Sequence, residues 1–151
     1  MRLFRAVDVA APTSIVFRWL CQLRAAPYSY DLLDNAGRRS PQMLTPGLER
    51  LQAGQRFMRI FRLVDFEPGR SITVRSRGSV FGEVLVTYRV REDGGGGSRL
   101  VAKLLVVSPP GPLGSMPARA LLAAGDLVMM RRQLLNLARL AEREARGRDG
   151  G

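Results

Sequence analysis

Two segments late in the chain alternate between apolar and polar side chains, and this alternation constrains the fold more than any other feature. In each segment every second residue is apolar or aromatic. These residues are Val84, Val86, Tyr88 and Val90 in the first segment, and Leu100, Ala102, Leu104 and Val106 in the second. The connection between them contains four consecutive glycines, at 94–97. Because successive side chains of a strand point to opposite faces, the pattern predicts an antiparallel hairpin with one face in the core and the other towards solvent.

The segments before this hairpin predict further strands. Residues 2–10 alternate like a strand with one apolar face. Residues 57–66 are largely apolar and predict a strand, but in a regular strand Arg59 and Arg62 would point to opposite faces. A bulge near the middle of the strand would place both on the same face. The sequence Glu67-Pro68-Gly69-Arg70 then predicts a tight turn, with proline at its second position and glycine at its third.

Helical patterns flank the strands. Residues 14–25 predict an amphipathic helix, residues 30–35 a short one, and residues 115–146 the longest element of the chain. The polar residues 147–151 are expected to form a flexible tail. A strand, two helices, a run of antiparallel strands and a final long helix predict an α+β fold. The 151 residues are the length of one domain, which we place at 1–146.

The formal charge of +11 at pH 7 raises the question of nucleic-acid binding. Lys103 is the only lysine, so nearly all of the positive charge is arginine, and no run of arginines is longer than a pair. A nucleic-acid interface usually concentrates its positive charge on one face or along one helix. We therefore expect that nucleic acid is not the main partner.

The chain has no histidine and a single cysteine, Cys21. This excludes an internal disulfide, a zinc site of cysteine and histidine, and catalysis by a histidine base. Cys21 falls outside the apolar face of the first helix and is expected to be inert. Charges near the start argue against a signal peptide, and no run of about 18 apolar residues could span a bilayer. We expect a soluble, cytoplasmic protein without a metal ion or cofactor.

Several short motifs, in this order, resemble those of one large superfamily. They are Val7-x-Val9-x-Ala11-Pro12 before Val16-x-x-Trp19-Leu20, then Phe66-Glu67-Pro68-Gly69-Arg70, then Val86-Thr87-Tyr88-Arg89-Val90 before Arg99-Leu100-Val101. Together they resemble the START-like (helix-grip, SRPBCC) superfamily, the polyketide cyclase/dehydrase and lipid-transport group. The segment from Tyr28 to Arg38 is similar to a subset of its bacterial members.

The resemblance implies a curved antiparallel sheet wrapped around a long C-terminal helix, with a cavity for a hydrophobic molecule between them. The superfamily includes lipid carriers, hormone receptors and polyketide aromatase/cyclases, so the fold alone does not choose a function. It offers no single catalytic motif to carry over to this chain, and it implies no cofactor.

The pocket candidates each have a structural alternative. Trp19 is a ligand contact or an ordinary core residue, and the tyrosines Tyr28 and Tyr30 either close the pocket mouth or anchor a loop. Asp31, three residues before another aspartate, is a general acid or base or a helix-capping residue. The hydroxyl of Tyr88 needs a partner, which is a ligand, water or a backbone carbonyl. The remaining candidates are apolar: Leu104 and Leu127.

Arg131 is the pocket candidate whose predicted position is easiest to test, because it is a charged residue on an apolar helix face. A projection of the last helix at about 100° per residue places Arg131 within the apolar arc, with Leu127 and Met130 on one side and Val128 and Leu135 on the other. A buried cation needs a partner. Arg131 either receives the polar end of a ligand, or pairs with an acid from the sheet or reaches out to solvent.

Three functions therefore remain open from the sequence. The first is the binding or carriage of a lipid-like or polyketide-like molecule. The second is a cofactor-free enzyme of the cyclase/dehydrase type, in which tyrosine, aspartate and arginine side chains orient the substrate and move protons. The third is a protein-interaction module whose cavity is filled by side chains. The volume of the cavity and its polar groups distinguish them.

Overall fold

The computed structural model describes residues 2–29, 38–79, 82–107 and 116–150. Six strands form one antiparallel sheet: Arg2–Val9 (β1), Arg56–Phe57 (β2), Phe61–Glu67 (β3), Ser71–Ser79 (β4), Gly82–Glu92 (β5) and Ser98–Val107 (β6). Their order across the sheet is β1-β6-β5-β4-β3-β2, so the first strand pairs with the last. The predicted helix-grip arrangement is confirmed, because the curved sheet packs against one long C-terminal helix.

In the described part of the chain, two α-helices accompany the sheet. The first, Thr13–Cys21 (α1), continues into a 3-10 turn at Gln22–Arg24, and the second is Met116–Asp149 (α2). The residues of the predicted polar tail are therefore helical as far as Asp149. The short helix expected over 30–35 lies outside the described residues. None of the helices in the described part of the chain is long and apolar enough to cross a membrane.

The predicted hairpin has the expected register. Val86 pairs with Leu104 and Val90 with Leu100, and all four side chains are buried. The segment predicted as one bulged strand over 57–66 is instead two strands, β2 and β3, separated by residues 58–60, and β3 has a register shift between Leu63 and Asp65.

The predicted turn follows β3 directly. Gly69 has a φ of +76°, and the Arg70 N–H donates to the Glu67 carbonyl at 2.9 Å. Glycine is favoured at this position because side chains rarely tolerate a positive φ.

α1 is buried on almost every side. α2 and the sheet cover one face, and residues 42–50 cover much of the other, where the Thr45 N–H donates to Gln22 at 2.8 Å. Arg18 donates to Glu49 at 2.8 Å, and this hydrogen bond lowers the pKa of the Glu49 carboxyl. Cys21 is consequently buried, although the helical pattern placed it outside the apolar face. Burial also raises the pKa of the Cys21 thiol to about 12, which agrees with an inert cysteine.

Candidate functional site

A pocket of about 540 Å³ lies between the sheet and α2. Its volume is within the range of small-molecule sites. Most of its wall is apolar, through Pro27, Met58, Ile60, Phe61, Val84, Val86, Leu104, Met129 and Met130. The polar residues of the wall are Ser29, Arg59, Tyr88 and Gln133. Ile60 is 65% exposed and marks the side on which the pocket opens.

The polar groups deep in the pocket bind one another. The Tyr88 hydroxyl donates to Oε1 of Gln133 at 2.6 Å, and Nε2 of Gln133 donates to the Pro27 carbonyl at 2.6 Å. The same Nε2 lies 3.2 Å from the sulfur of Met58. Tyr88 and Gln133 are both buried, and a buried polar group is costly unless it has a hydrogen-bond partner. The hydrogen-bonding groups of Tyr88 and Gln133 therefore have partners within the protein, and most of the remaining pocket wall is apolar.

Three side chains of α2 hold one short segment, residues 27–29, which we call the strap. Besides the Gln133 contact to Pro27, Nδ2 of Asn136 donates to the Tyr28 carbonyl at 2.9 Å and Nε of Arg132 to the Ser29 carbonyl at 3.2 Å. Tyr28 has a φ of +55°, a conformation that costs a bulky residue on the order of 1 kcal/mol or more. The three hydrogen bonds offset that cost.

A second strained segment, residues 58–60, forms the rim turn of the pocket. Met58 and Arg59 have φ values of +44° and +67°. The Ile60 N–H donates to the Met58 carbonyl at 2.8 Å, closing a tight three-residue turn around Arg59, and the Met58 N–H donates to the Leu23 carbonyl at 2.8 Å.

The left-handed conformations are concentrated at this one site. In the described ranges, every non-glycine residue with a positive φ belongs to the strap or to the rim turn. Strain of this kind clusters at ligand sites, where the surrounding structure enforces it. The distribution therefore marks the pocket as a candidate functional site.

Charge is sparse around the pocket. Of the lining residues that the structure describes, Arg59 alone carries a charge, and neither aspartate nor glutamate is among them. Nor do the described residues contain a cluster of acidic or cysteine side chains suited to a metal ion. This arrangement can hold an apolar molecule, but its described groups do not include a carboxylate base.

The predicted site residues divide into three groups. Tyr88 and Leu104 line the pocket. Trp19 and Tyr28 are buried in an edge-to-face contact with each other, with ring centroids 6.2 Å apart, and do not line the pocket. Tyr30, Asp31 and the side chain of Leu127 lie outside the described residues.

Arg131 requires a correction, because it is exposed and does not line the pocket. The buried stripe of α2 passes through Met130, Gln133, Leu134, Leu137, Leu140 and Ala141. Val128 and Leu135, which placed Arg131 inside the apolar arc, are 54% and 48% exposed. The helix is therefore rotated from the predicted orientation, and among its described side chains Gln133 is a polar one that is buried in the interior.

Gln133 is the residue that the sequence analysis missed. It lies three residues after Met130 and four before Leu137, spacings that put all three on one face of a helix. A polar residue within a continuous apolar stripe was the available signal.

Comparisons with known proteins identify the fold. No family model matches the chain, and no curated protein matches its sequence. The Zhui aromatase/cyclase from Streptomyces sp. R1128 is 18% identical with a TM-score of 0.61, over 95% of this chain and 94% of that one. Protein MLL2253 from Mesorhizobium loti is 12% identical with a TM-score of 0.59, over 95% and 98%.

A third similar structure is larger. The di-domain ARO/CYC BexL from the BE-7585A biosynthetic pathway is 13% identical with a TM-score of 0.64, over 94% of this chain and 46% of that one. This chain therefore spans about half the length of BexL. At such identities the likeness establishes the fold alone.

Proposed function

Because this chain has the START-like helix-grip fold and an apolar pocket between its sheet and its last helix, we propose that it binds a hydrophobic small molecule non-covalently. The observation that carries the proposal is the unfilled space of about 540 Å³ beside an otherwise closely packed core. Small-molecule sites are concave, mostly apolar and about 300–1,000 Å³ in volume, with a few polar groups. This pocket has the size and the lining of such a site.

The polar pair in the pocket supports the same proposal. Tyr88 and Gln133 satisfy each other, so an apolar ligand can enter without leaving them unpaired. The volume also weighs against a protein-interaction module whose cavity is filled by side chains.

A cofactor-free enzyme of the cyclase/dehydrase type is the second candidate, favoured by the structural likeness to the Zhui aromatase/cyclase and to the ARO/CYC BexL. Such an enzyme needs groups that move protons. In the described wall these would be limited to the Tyr88 hydroxyl, the Ser29 hydroxyl and the Arg59 guanidinium. Tyr30 and Asp31 are proposed as the further groups that this candidate requires.

A neutral fluorescent probe such as N-phenyl-1-naphthylamine tests the binding proposal. We expect the wild type to bind it and Val86→Phe, which fills the pocket, to bind it at least about tenfold more weakly. Leu85 precedes Val86 on the same strand, so its side chain points to the opposite face of the sheet. Leu85→Phe is therefore the matched control and should bind the probe like the wild type. The absence of probe binding, or equal loss in both variants, would contradict the proposal.

Mass spectrometry separates binding from catalysis. Poly-β-ketone mimics incubated with the protein should be recovered unchanged if the protein only binds. Products that have lost water, formed by the wild type and not by Val86→Phe, would favour the enzyme instead.

A further inference from the structure

We propose that the ligand is a single-chain amphiphile with an anionic head, and that Arg59 binds this head at the pocket mouth. The inference rests on the proposed binding function and adds the chemical class of the ligand. It moves this role from Arg131, which the sequence left open as a candidate for it, to an arginine that lines the pocket.

The interior of the pocket determines which end of the ligand enters first. Both polar groups at its deep end are engaged, Tyr88 with Gln133 and Gln133 with the Pro27 carbonyl, each at 2.6 Å. A polar ligand group placed there would have to break these bonds or remain unpaired, and either is costly. The apolar end therefore enters, and the polar end stays at the mouth.

Arg59 is the group that meets the polar end. Its side chain is exposed at the mouth, and no hydrogen bond or ion pair joins it to another described residue. Other arginines of the described chain do find acids, such as Arg18 with Glu49 at 2.8 Å and Arg99 with Asp8 at 3.1 Å. A guanidinium without a described acidic neighbour can give its planar pair of donors to a carboxylate or phosphate.

The rim turn fixes the position of Arg59 in advance. Its φ of +67° and the hydrogen bonds of Met58 and Ile60 hold the backbone in one conformation. A receptor group that is ordered before binding loses less entropy when the ligand arrives. The strain at this exposed position is thus associated with ligand recognition.

The volume limits the size of the tail. A space of about 540 Å³ is in the middle of the range of sites for one small molecule. This suits one medium-length chain or a small fused-ring skeleton rather than a lipid with two long chains.

Displacement titrations with decanoate, decyl phosphate and 1-decanol test the head group at constant tail. We expect the wild type to bind both anions about five- to tenfold more tightly than the alcohol at low ionic strength, and less so in high salt. Decanoate and decyl phosphate distinguish a carboxylate head from a phosphate head. Arg59→Gln should abolish the preference, so that neither anion binds more tightly than 1-decanol. Arg131→Gln removes an equal charge from α2 and should keep the preference.

The failures are distinguishable. If neither decanoate nor decyl phosphate binds the wild type more tightly than 1-decanol, the anionic head is disproved and the binding function stands. If none of the three ligands binds, the binding function itself fails. Equal loss in Arg59→Gln and Arg131→Gln would show attraction by the net charge and overturn the assignment to Arg59. Should Arg59→Gln fold poorly, Arg59→Asn repeats the test with a residue that tolerates a left-handed conformation.

Discussion

The region between the sheet and α2 has two halves: one is closely packed, and the other contains the pocket. In the packed half, α2 contributes Leu134, Leu137, Leu140 and Ala141 to a continuous core with Trp19 and Leu20 of α1. In the pocket half, it contributes Met129, Met130 and Gln133 to the wall of a cavity. α1 packs against α2 and covers the first half, and no described element covers the second in the same way.

The difference shows that the residues that stabilise this fold and the residues that form its pocket lie in different halves of the region between the sheet and α2. The packed half buries large aliphatic side chains that depend on close contact. The pocket half uses methionines, whose unbranched side chains adapt to varied contacts, and a polar pair that is complete without a ligand. A ligand site can exist in the second half because the first supplies most of the packing.

The largest expected difference between the halves is in thiol reactivity at pH 8. Cys21 should react with a thiol reagent at least about a thousandfold more slowly in the folded than in the urea-unfolded chain, equivalent to about 4 kcal/mol of opening free energy. It is buried, and burial, assisted by Glu49 and only partly opposed by Arg24, raises the pKa of its thiol to about 12. Met129→Cys in a Cys21→Ser background places the thiol in the pocket half and should react far faster. Similar rates at both positions would break the comparison.

The same thiol gives a dependence on alkaline pH. Because the pKa of Cys21 is raised in the folded state, the unfolded chain loses its thiol proton first as the pH rises. The free energy of unfolding should therefore fall between the ordinary thiol pKa and about 12. Cys21→Ser should reduce this fall, as measured by urea denaturation.

Matched leucine truncations give the next largest effect. Leu140→Ala should lower the free energy of unfolding by about 2–5 kcal/mol, since Leu140 is fully buried among packed neighbours. Leu104→Ala should cost about half as much, because Leu104 borders space that is already empty. Urea denaturation measures both, and equal losses would show that the pocket half is packed as tightly as the other.

The polar pair predicts a smaller, coupled effect. Gln133→Leu should cost about 1–3 kcal/mol, because it removes the acceptor of the Tyr88 hydroxyl and the donor to the Pro27 carbonyl. Tyr88→Phe removes the opposite partner. The double variant should cost less than the sum of the two single variants. Strict additivity would indicate that Tyr88 and Gln133 do not interact in solution.

The smallest expected effect is an increase in the free energy of unfolding rather than a decrease. Arg59→Gly relieves a left-handed conformation and should raise the free energy of unfolding by up to about 1 kcal/mol while it abolishes the preference for anions. Arg131→Gly, in the middle of α2, is the control and should lower it by about 1 kcal/mol. A destabilised Arg59→Gly would show that the rim turn is not strained.

Local patterns predicted most of the sheet. The hairpin and the turn at Gly69 each depend on side-chain alternation or on glycine and proline chemistry within a few residues. The order of these elements predicted an α+β fold, and the helix-grip arrangement was implied by the resemblance of their motifs to the START-like superfamily.

The site was harder to predict because its determinants are distant or carry no sequence signal. The role of Gln133 depends on Tyr88 and Pro27, which lie 45 and 106 residues away along the chain. The orientation of α2, and hence the exposure of Arg131, depends on where α1 packs. The left-handed conformations at Met58 and Arg59 occur without the glycine or asparagine that usually indicates them.

The contacts that hold the strap also have a consequence for the order of folding. They join Pro27, Tyr28 and Ser29 to α2 residues 106, 108 and 103 positions later. Contacts of such high contact order form late, because the entropy of closing a long loop must be overcome first. During synthesis, the strap can be fixed only after Asn136 has left the ribosome. We therefore expect the binding site to be among the last parts of the molecule to acquire its native structure.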